Sequence, residues 1–304
     1  VKILVVGAGA VGGYFGGRLA QAGRDVTFLV RPARAAQLRD GLHLVSPHGN
    51  VTVPAKLVGA GDIAGPYDLI LLGVKAYALD AAIADFAPAV GPQTTILPAL
   101  NGLRHIDVLT ARFGEAAVLG GICLVMTEID ADGRIVQMAE IQQLTYGERS
   151  GGLSDRVGAL DAALQGAGFE AHASADIVRA MWEKWVQLAA LGAITCLARG
   201  PVGQVAAAAG GPDFALALLH ECAAIAAASG HPPTPAWLAR VGGMLTAAGS
   251  PMTSSMFRDL RKGAAVEADH IVGDLIARGA THGVPAPLLN AAYVHLQVYQ
   301  GARA

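Results

Sequence analysis

The sequence predicts an α/β domain followed by an all-helical one. Three observations carry that prediction. Short, near-continuous apolar runs alternate with helical patterns through the first half, a glycine-rich turn joins the first run to a helix, and the β pattern stops at about residue 175. The expected boundaries are 1–174 for the first domain and 175–304 for the second.

The apolar runs are KILVVG (2–7), DVTFLV (25–30), YDLILLGV (67–74), TTILPAL (94–100) and AVLGGICLVM (117–126). Strands covered on both faces of a parallel sheet read this way. An Ala/Gly-rich helix ending at Gly23 separates the first two. Asp132-Gly133 lies between two β-prone arms in 127–148, a hairpin signal. A helix near 154–166 and a strand near 168–173 close the domain. Beyond it, helices are expected at 177–198, 213–229, 235–248, 254–279 and 287–300, punctuated by Gly230, Pro232-Pro233 and Gly283. The alanine tract at 206–209 reads as small-residue packing, and 213–229 as buried core.

Composition narrows the function classes. Of 304 residues, 53% are hydrophobic and 15% charged, and the net charge of −2 gives no overall pull toward nucleic acid or an anionic membrane. Gly, Pro or charges interrupt the apolar runs short of a membrane span. The first residues lack a signal-peptide pattern. Cys123, Cys196 and Cys222 share no CxxC spacing, so buried thiols and a cytoplasmic setting are expected. The apolar helical half fits either a homodimer interface or a plain core. Glu267, Asp269 and His270 ("EADH") have no metal-site spacing, and no metal is expected. Trp182, Trp185 and Trp237 read as packing residues.

GAGAVG follows the first strand and opens the first helix. Gly7 permits the tight turn, Gly9 lets backbone approach a pyrophosphate, and Gly12 packs helix on strand. Ala10 and Val11 put first-turn amides and the positive end of the helix dipole at the phosphates. This is the fingerprint of a dinucleotide-binding Rossmann domain. NAD-selective versions place an acid at the end of the second strand to hold the ribose 2′-hydroxyl. Here that position holds Arg31, with Arg34 nearby. A guanidinium grips a 2′-phosphate that a carboxylate would repel, so NADP(H) is expected over NAD(H). Lys75 and Asn101 follow the third and fourth strands, at the carboxyl ends where open α/β sheets bind ligands, and both are expected to contact the cofactor. Asn101-Gly102 is also a common turn pair, and both readings of Asn101 stand.

The chain resembles the ketopantoate reductases (2-dehydropantoate 2-reductases) of the wider 6-phosphogluconate dehydrogenase-like group. The marks run along nearly its whole length: GAGAVGGYFGGRLA, Arg31, VKAY with Lys75, NGL with Asn101, WEKW with Lys184, and SSMFRDLRKGAAVEADHI with Ser254, Ser255 and Glu267. The resemblance implies that NADPH reduces the ketone of a 2-oxo acid in a cleft between the two domains. By it, Lys184 is the general acid and carbonyl polariser, Glu267 orients the reacting oxygen, and Asn101 and Ser255 contact substrate. The implied reaction is 2-dehydropantoate to pantoate, in pantothenate biosynthesis.

One departure bears on substrate. The family usually carries asparagines four and eight residues after the lysine, where this chain has Leu188 and Gly192, and Val202 replaces a third. A more apolar 2-oxo acid or other carbonyl compound, or an NADPH-binding sensor without turnover, are the alternatives. Chemically, an ammonium stabilises the charge that hydride addition puts on the carbonyl oxygen and then supplies the proton. Desolvation lowers a lysine pKa and suits that task. Without the resemblance, Lys184 would be a snorkelling residue, Glu267 a solvated helix face, and one of Ser254 and Ser255 a helix cap.

Overall fold

The computed structural model describes residues 1–303. The chain divides into two compact units. Val1–Leu100 with His105–Val178 form the first, and Asn101–Arg104 with the residues from Arg179 onward form the second.

The first unit contains β1 (Lys2–Val6), β2 (Asp25–Leu29), β3 (Leu42–Val45), β4 (Val51–Val53), β5 (Lys56–Val58), β6 (Leu69–Leu72), β7 (Thr95–Pro98), β8 (Gly120–Ile129), β9 (Ile135–Gly147) and β10 (Glu170–Ala173). A wholly parallel sheet has the order β5-β2-β1-β6-β7, with Ile3 opposite both Val26 and Leu69 and Ile70 opposite Ile96. All four β6 residues are buried, as the unbroken apolar run requires. The helix Ala10–Gln21 crosses from β1 to β2.

The run 117–126 joins that sheet only at its start, where Val118 bridges Ile96 of β7 in parallel and the Leu119 amide donates to the Ile96 carbonyl at 3.0 Å. Its residues enter β8, which pairs antiparallel with β9 in a second sheet of order β10-β9-β3-β4. The turn between them decides the outcome. Asp130 accepts the Asp132 and Arg134 amides on its carboxylate at 3.0 and 2.9 Å, and Gly133 takes the left-handed φ of +79°. So local a reversal sets the two arms side by side from Gly120 on. Sequence reading also missed β3, β4 and β5, three- and four-residue strands too short to show a period.

Helices make up the second unit: most of Ile177–Ala198, then Val202–Ala207, Gly211–Ala228, Pro235–Leu245, Ser255–Arg261, Asp274–Thr281 and Pro287–Gly301. The single helix expected at 254–279 is broken. Gly263 turns left-handed at φ +68° and the Ala264 amide reaches back to the Asp259 carbonyl at 2.9 Å, a glycine stop. The chain resumes in a π-turn, Asp269–Gly273, whose signature is the Asp274 amide bonding five residues back to Asp269. The alanine tract is not packed. Ala207, Ala208 and Ala209 are exposed where a short helix ends.

Gly211–Ala228 is the one helix among the described residues long and apolar enough for a membrane span. It is a core helix here. Leu218, Leu219 and Cys222 are fully buried, and Glu221 accepts the Leu288 and Leu289 amides at 3.1 and 2.9 Å, capping Pro287–Gly301. All three cysteines are free and buried, and burial pushes the Cys196 thiol up to about 12.

In the first unit, Glu148 holds Arg156 through two bonds of 2.7 and 2.5 Å and accepts the Ser154 hydroxyl. Ser154 in turn caps the helix Asp155–Leu164. The Arg156 hydrogen bond is the main force lowering the Glu148 pKa from 4.5. The stabilisation is therefore complete above that value and lost as pH falls through the folded pKa. Arg156→Met is expected to cost about 1–3 kcal/mol at neutral pH. Urea titrations at pH 7 and below 4.5 should show the variant's deficit shrinking on the acid side.

Candidate active site

The first unit builds a nucleotide cradle. Gly7 takes φ +90° directly after β1. A side chain at Gly12 would put its Cβ 2.2 Å from the Gly7 carbonyl oxygen, so the helix can begin here only on glycine. Above Gly9 there is open space, with no heavy atom within 4 Å of a would-be Cβ. That is the surface a pyrophosphate needs. A cleft of about 890 Å³ runs over Gly7, Ala8 and Gly9 to the end of β2, where Arg31 and Arg34 line it.

The two arginines differ. Arg31 is exposed and opens the helix Pro32–Gln37. Arg34 is tied down. Its Nε donates to the Ala8 carbonyl at 2.8 Å and its Nη1 to the Gly133 carbonyl at 2.7 Å, and burial lowers its pKa. Ala10 and Val11 sit in the first helical turn, Gly12 is buried beneath them, and Lys75 is exposed just after the cleft-lining Val74. Asp62 and Asp85 also line the cleft, and sequence reading missed both. Asp62 arrives because β5 pairs with β2, a register that no local pattern announces.

Asn101 does not line that cleft. It belongs to the second unit, together with Lys184, Ser255 and Glu267. A short chain of contacts brings three of these together. Gly102 adopts φ +76°, and its would-be Cβ lies 2.6 Å from the His270 carbonyl oxygen and 3.7 Å from the Trp185 Nε1. That indole N–H donates to the next carbonyl, Ile271, at 2.9 Å. The Ile271 amide donates to the Glu267 carbonyl at 3.0 Å. So Asn101 precedes the glycine seated on His270, Lys184 precedes the tryptophan bonded to Ile271, and Glu267 begins the turn carrying both carbonyls.

Burial separates the readings left open by sequence. Glu267 is only 7% exposed, which removes the solvated-helix-face reading. Lys184 is half-buried, and its sequence neighbours Trp182 and Trp185 pack on one another with ring centroids 5.1 Å apart and are 5% and 1% exposed. Ser254 is the cap. Its hydroxyl accepts the Phe257 amide at 2.9 Å and also meets the Thr195 hydroxyl. Ser255 is the first residue of the helix and is half-buried. His270, unassigned by sequence, is half-buried beside the site. Burial lowers its pKa and the Arg104 charge adds to the effect, against Glu267, Asp269 and Asp274.

Family models now bear on the chain as a whole. The model described as ketopantoate reductase PanE/ApbA matches residues 3–151, and its C-terminal counterpart matches residues 176–300. The chain belongs to the ketopantoate reductase family. It is 37% identical to the uncharacterized oxidoreductase YkpB of Bacillus subtilis (strain 168), covering 100% of both chains. Against the 2-dehydropantoate 2-reductase of Mesorhizobium japonicum (strain LMG 29417 / CECT 9101 / MAFF 303099) it is 27% identical over 96% of this chain and 95% of the relative. The crystal structure of 2-dehydropantoate 2-reductase from Geobacter metallireducens GS-15 superposes with a TM-score of 0.89 at 28% identity, over 98% and 99% of the two chains.

Within this ketopantoate reductase fold, the three substituted positions have different fates. Leu188 is half-buried, one turn beyond Lys184. Gly192 is buried, and a Cβ there would meet the Met256 Cε at 2.7 Å. Val202 is fully buried with its amide bonded to the Met252 carbonyl, so it is a core residue.

Gly102→Ala tests the frame. It forces a Cβ against the His270 carbonyl at a positive φ, and should cost more than about 1 kcal/mol. Turnover is expected to fall while nucleotide affinity, measured by fluorescence titration, holds. An unchanged melting temperature with unchanged turnover would contradict the role given to this contact.

Proposed function

We propose that this oxidoreductase uses NADPH to reduce a 2-oxo acid to the 2-hydroxy acid, with 2-dehydropantoate as the first substrate to test. The observation that carries this reading is the linkage of Asn101, Lys184 and Glu267 through Gly102, His270, Ile271 and Trp185 inside one unit. A ketone reductase needs a proton donor, an oxygen-orienting acid and a polar anchor held on rigid backbone, and Lys184, Glu267 and Asn101 are the residues proposed for that set.

The cradle fits the cofactor. Open space over Gly9 accommodates the pyrophosphate, and Gly7, Gly9 and the first-turn amides of Ala10, Val11 and Gly12 would hold it. Arg31, exposed at the edge of the cleft, would hold the 2′-phosphate, with Lys75 close to the same rim. When bound, NADPH supplies hydride to the substrate's carbonyl carbon. Lys184 stabilises the negative charge that grows on the carbonyl oxygen and transfers its proton to that oxygen. Glu267 orients Lys184 and accepts a hydrogen bond from the product hydroxyl. Asn101 and Ser255 anchor the rest of the substrate.

A second reading, a 2-oxo acid with a more apolar substituent, is favoured by one observation. Leu188 and Gly192 put no polar group on the helix beyond Lys184, and Met256 fills the side of Gly192. A site lacking a hydrogen-bonding partner discriminates weakly for a hydroxylated substrate.

NADPH oxidation measured with 2-dehydropantoate and a series of increasingly apolar 2-oxo acids separates the two readings. No turnover with any of them would refute both and leave a cofactor-binding sensor. Lys184→Ala is expected to lower kcat by about 10²–10⁴-fold with NADPH affinity intact. Arg31→Ala should weaken NADPH binding by roughly tenfold or more and leave NADH nearly unaffected. Equal losses for both cofactors would argue against a 2′-phosphate contact.

A further inference from the structure

We infer that Arg104 grips the substrate carboxylate, a specificity-determining contact that the Asn101 loop provides where positions 188 and 192 of the lysine-bearing helix are Leu and Gly. This rests on the reading of the protein as a 2-oxo acid reductase. Every such substrate carries a carboxylate beside its ketone, and the carboxylate needs cationic or N–H donors when it leaves water.

Among the groups assigned to the substrate, Asn101 and Ser255 are neutral donors. Lys184 is assigned to the carbonyl oxygen. Ser254 is spent on the Phe257 amide and the Thr195 hydroxyl. Leu188 and Gly192 offer none. Arg104 lies two residues past Gly102, whose backbone is seated on the His270 carbonyl, so the base of its side chain is fixed to the same frame as Glu267. It belongs to the same unit and its side chain is exposed. Its charge acts to lower the pKa of both His270 and Tyr293, in keeping with that backbone position. Asp269 is already engaged there, accepting the Tyr293 hydroxyl at 2.7 Å and the Gln297 amide at 2.6 Å. A planar guanidinium matches a carboxylate through two parallel hydrogen bonds, which an ammonium cannot reproduce.

Titration calorimetry with oxamate, an unreactive mimic of a 2-oxo acid, tests this on the full chain loaded with NADPH. Oxamide, which replaces the carboxylate with an amide, is the control probe. Arg104→Gln should weaken oxamate at least tenfold and leave oxamide unchanged, and Arg104→Lys should recover part of the loss. Oxamate affinity equal to that of the unsubstituted protein in Arg104→Gln overturns the inference, and so does a loss seen only in Ser255→Ala. The turnover panel keeps the two readings apart. Arg104-dependent oxamate binding without turnover of any 2-oxo acid supports the carboxylate site and refutes the reductase. Turnover with the same KM in Arg104→Gln supports the reductase and refutes the site.

Discussion

The second unit depends on one close approach, the backbone of Gly102 against the carbonyl of His270. At 2.6 Å from a would-be Cβ, no other residue fits without moving the π-turn. This contact carries a four-residue stretch, Asn101–Arg104, into a body otherwise built from residues 179 onward. The Trp185 bond to Ile271 makes the same turn a rest for the lysine-bearing helix. Asn101, Arg104, Lys184 and Glu267 thus take their positions from two adjacent carbonyls. A frame of this kind restrains reacting groups through backbone, which has less freedom than long side chains.

The π-turn makes those carbonyls available. In an α-helix each carbonyl accepts from the amide four residues on, whereas here the Asp274 amide skips to Asp269. The wider turn opens the ladder sideways, and the Trp185 indole reaches in. The break after Arg261 has a matching effect on Glu267. Past the glycine stop at Gly263, Glu267 enters buried, at the start of the next helical segment.

Much of the first unit was legible in the sequence because its signals are local. Four of the apolar runs form the parallel sheet, and GAGAVG turns where its glycines require. The run 117–126 touches the parallel sheet only at Val118, because periodicity does not report a partner and the Asp130–Gly133 turn sets β8 against β9. Asp62 and the strut made by Arg34 depend on which strands lie side by side, so no short window reveals them. In the second unit, Lys184 and Glu267 stood out only through the spacing of a family pattern. Arg104 and His270 did not, because Gly102 and His270 meet across 168 positions of chain.

The residues that hold the frame and the residues that line the helix beyond Lys184 are different sets. Gly102, His270, Ile271 and Trp185 fix geometry through backbone and a single indole, while Leu188 and Gly192 take no part in that network. A substitution at Leu188 therefore leaves those contacts untouched, whereas one at Gly192 would press on Met256, next to Ser255. The wall of the lysine-bearing helix at position 188 can thus be recut while the turn that seats the helix keeps its bonds.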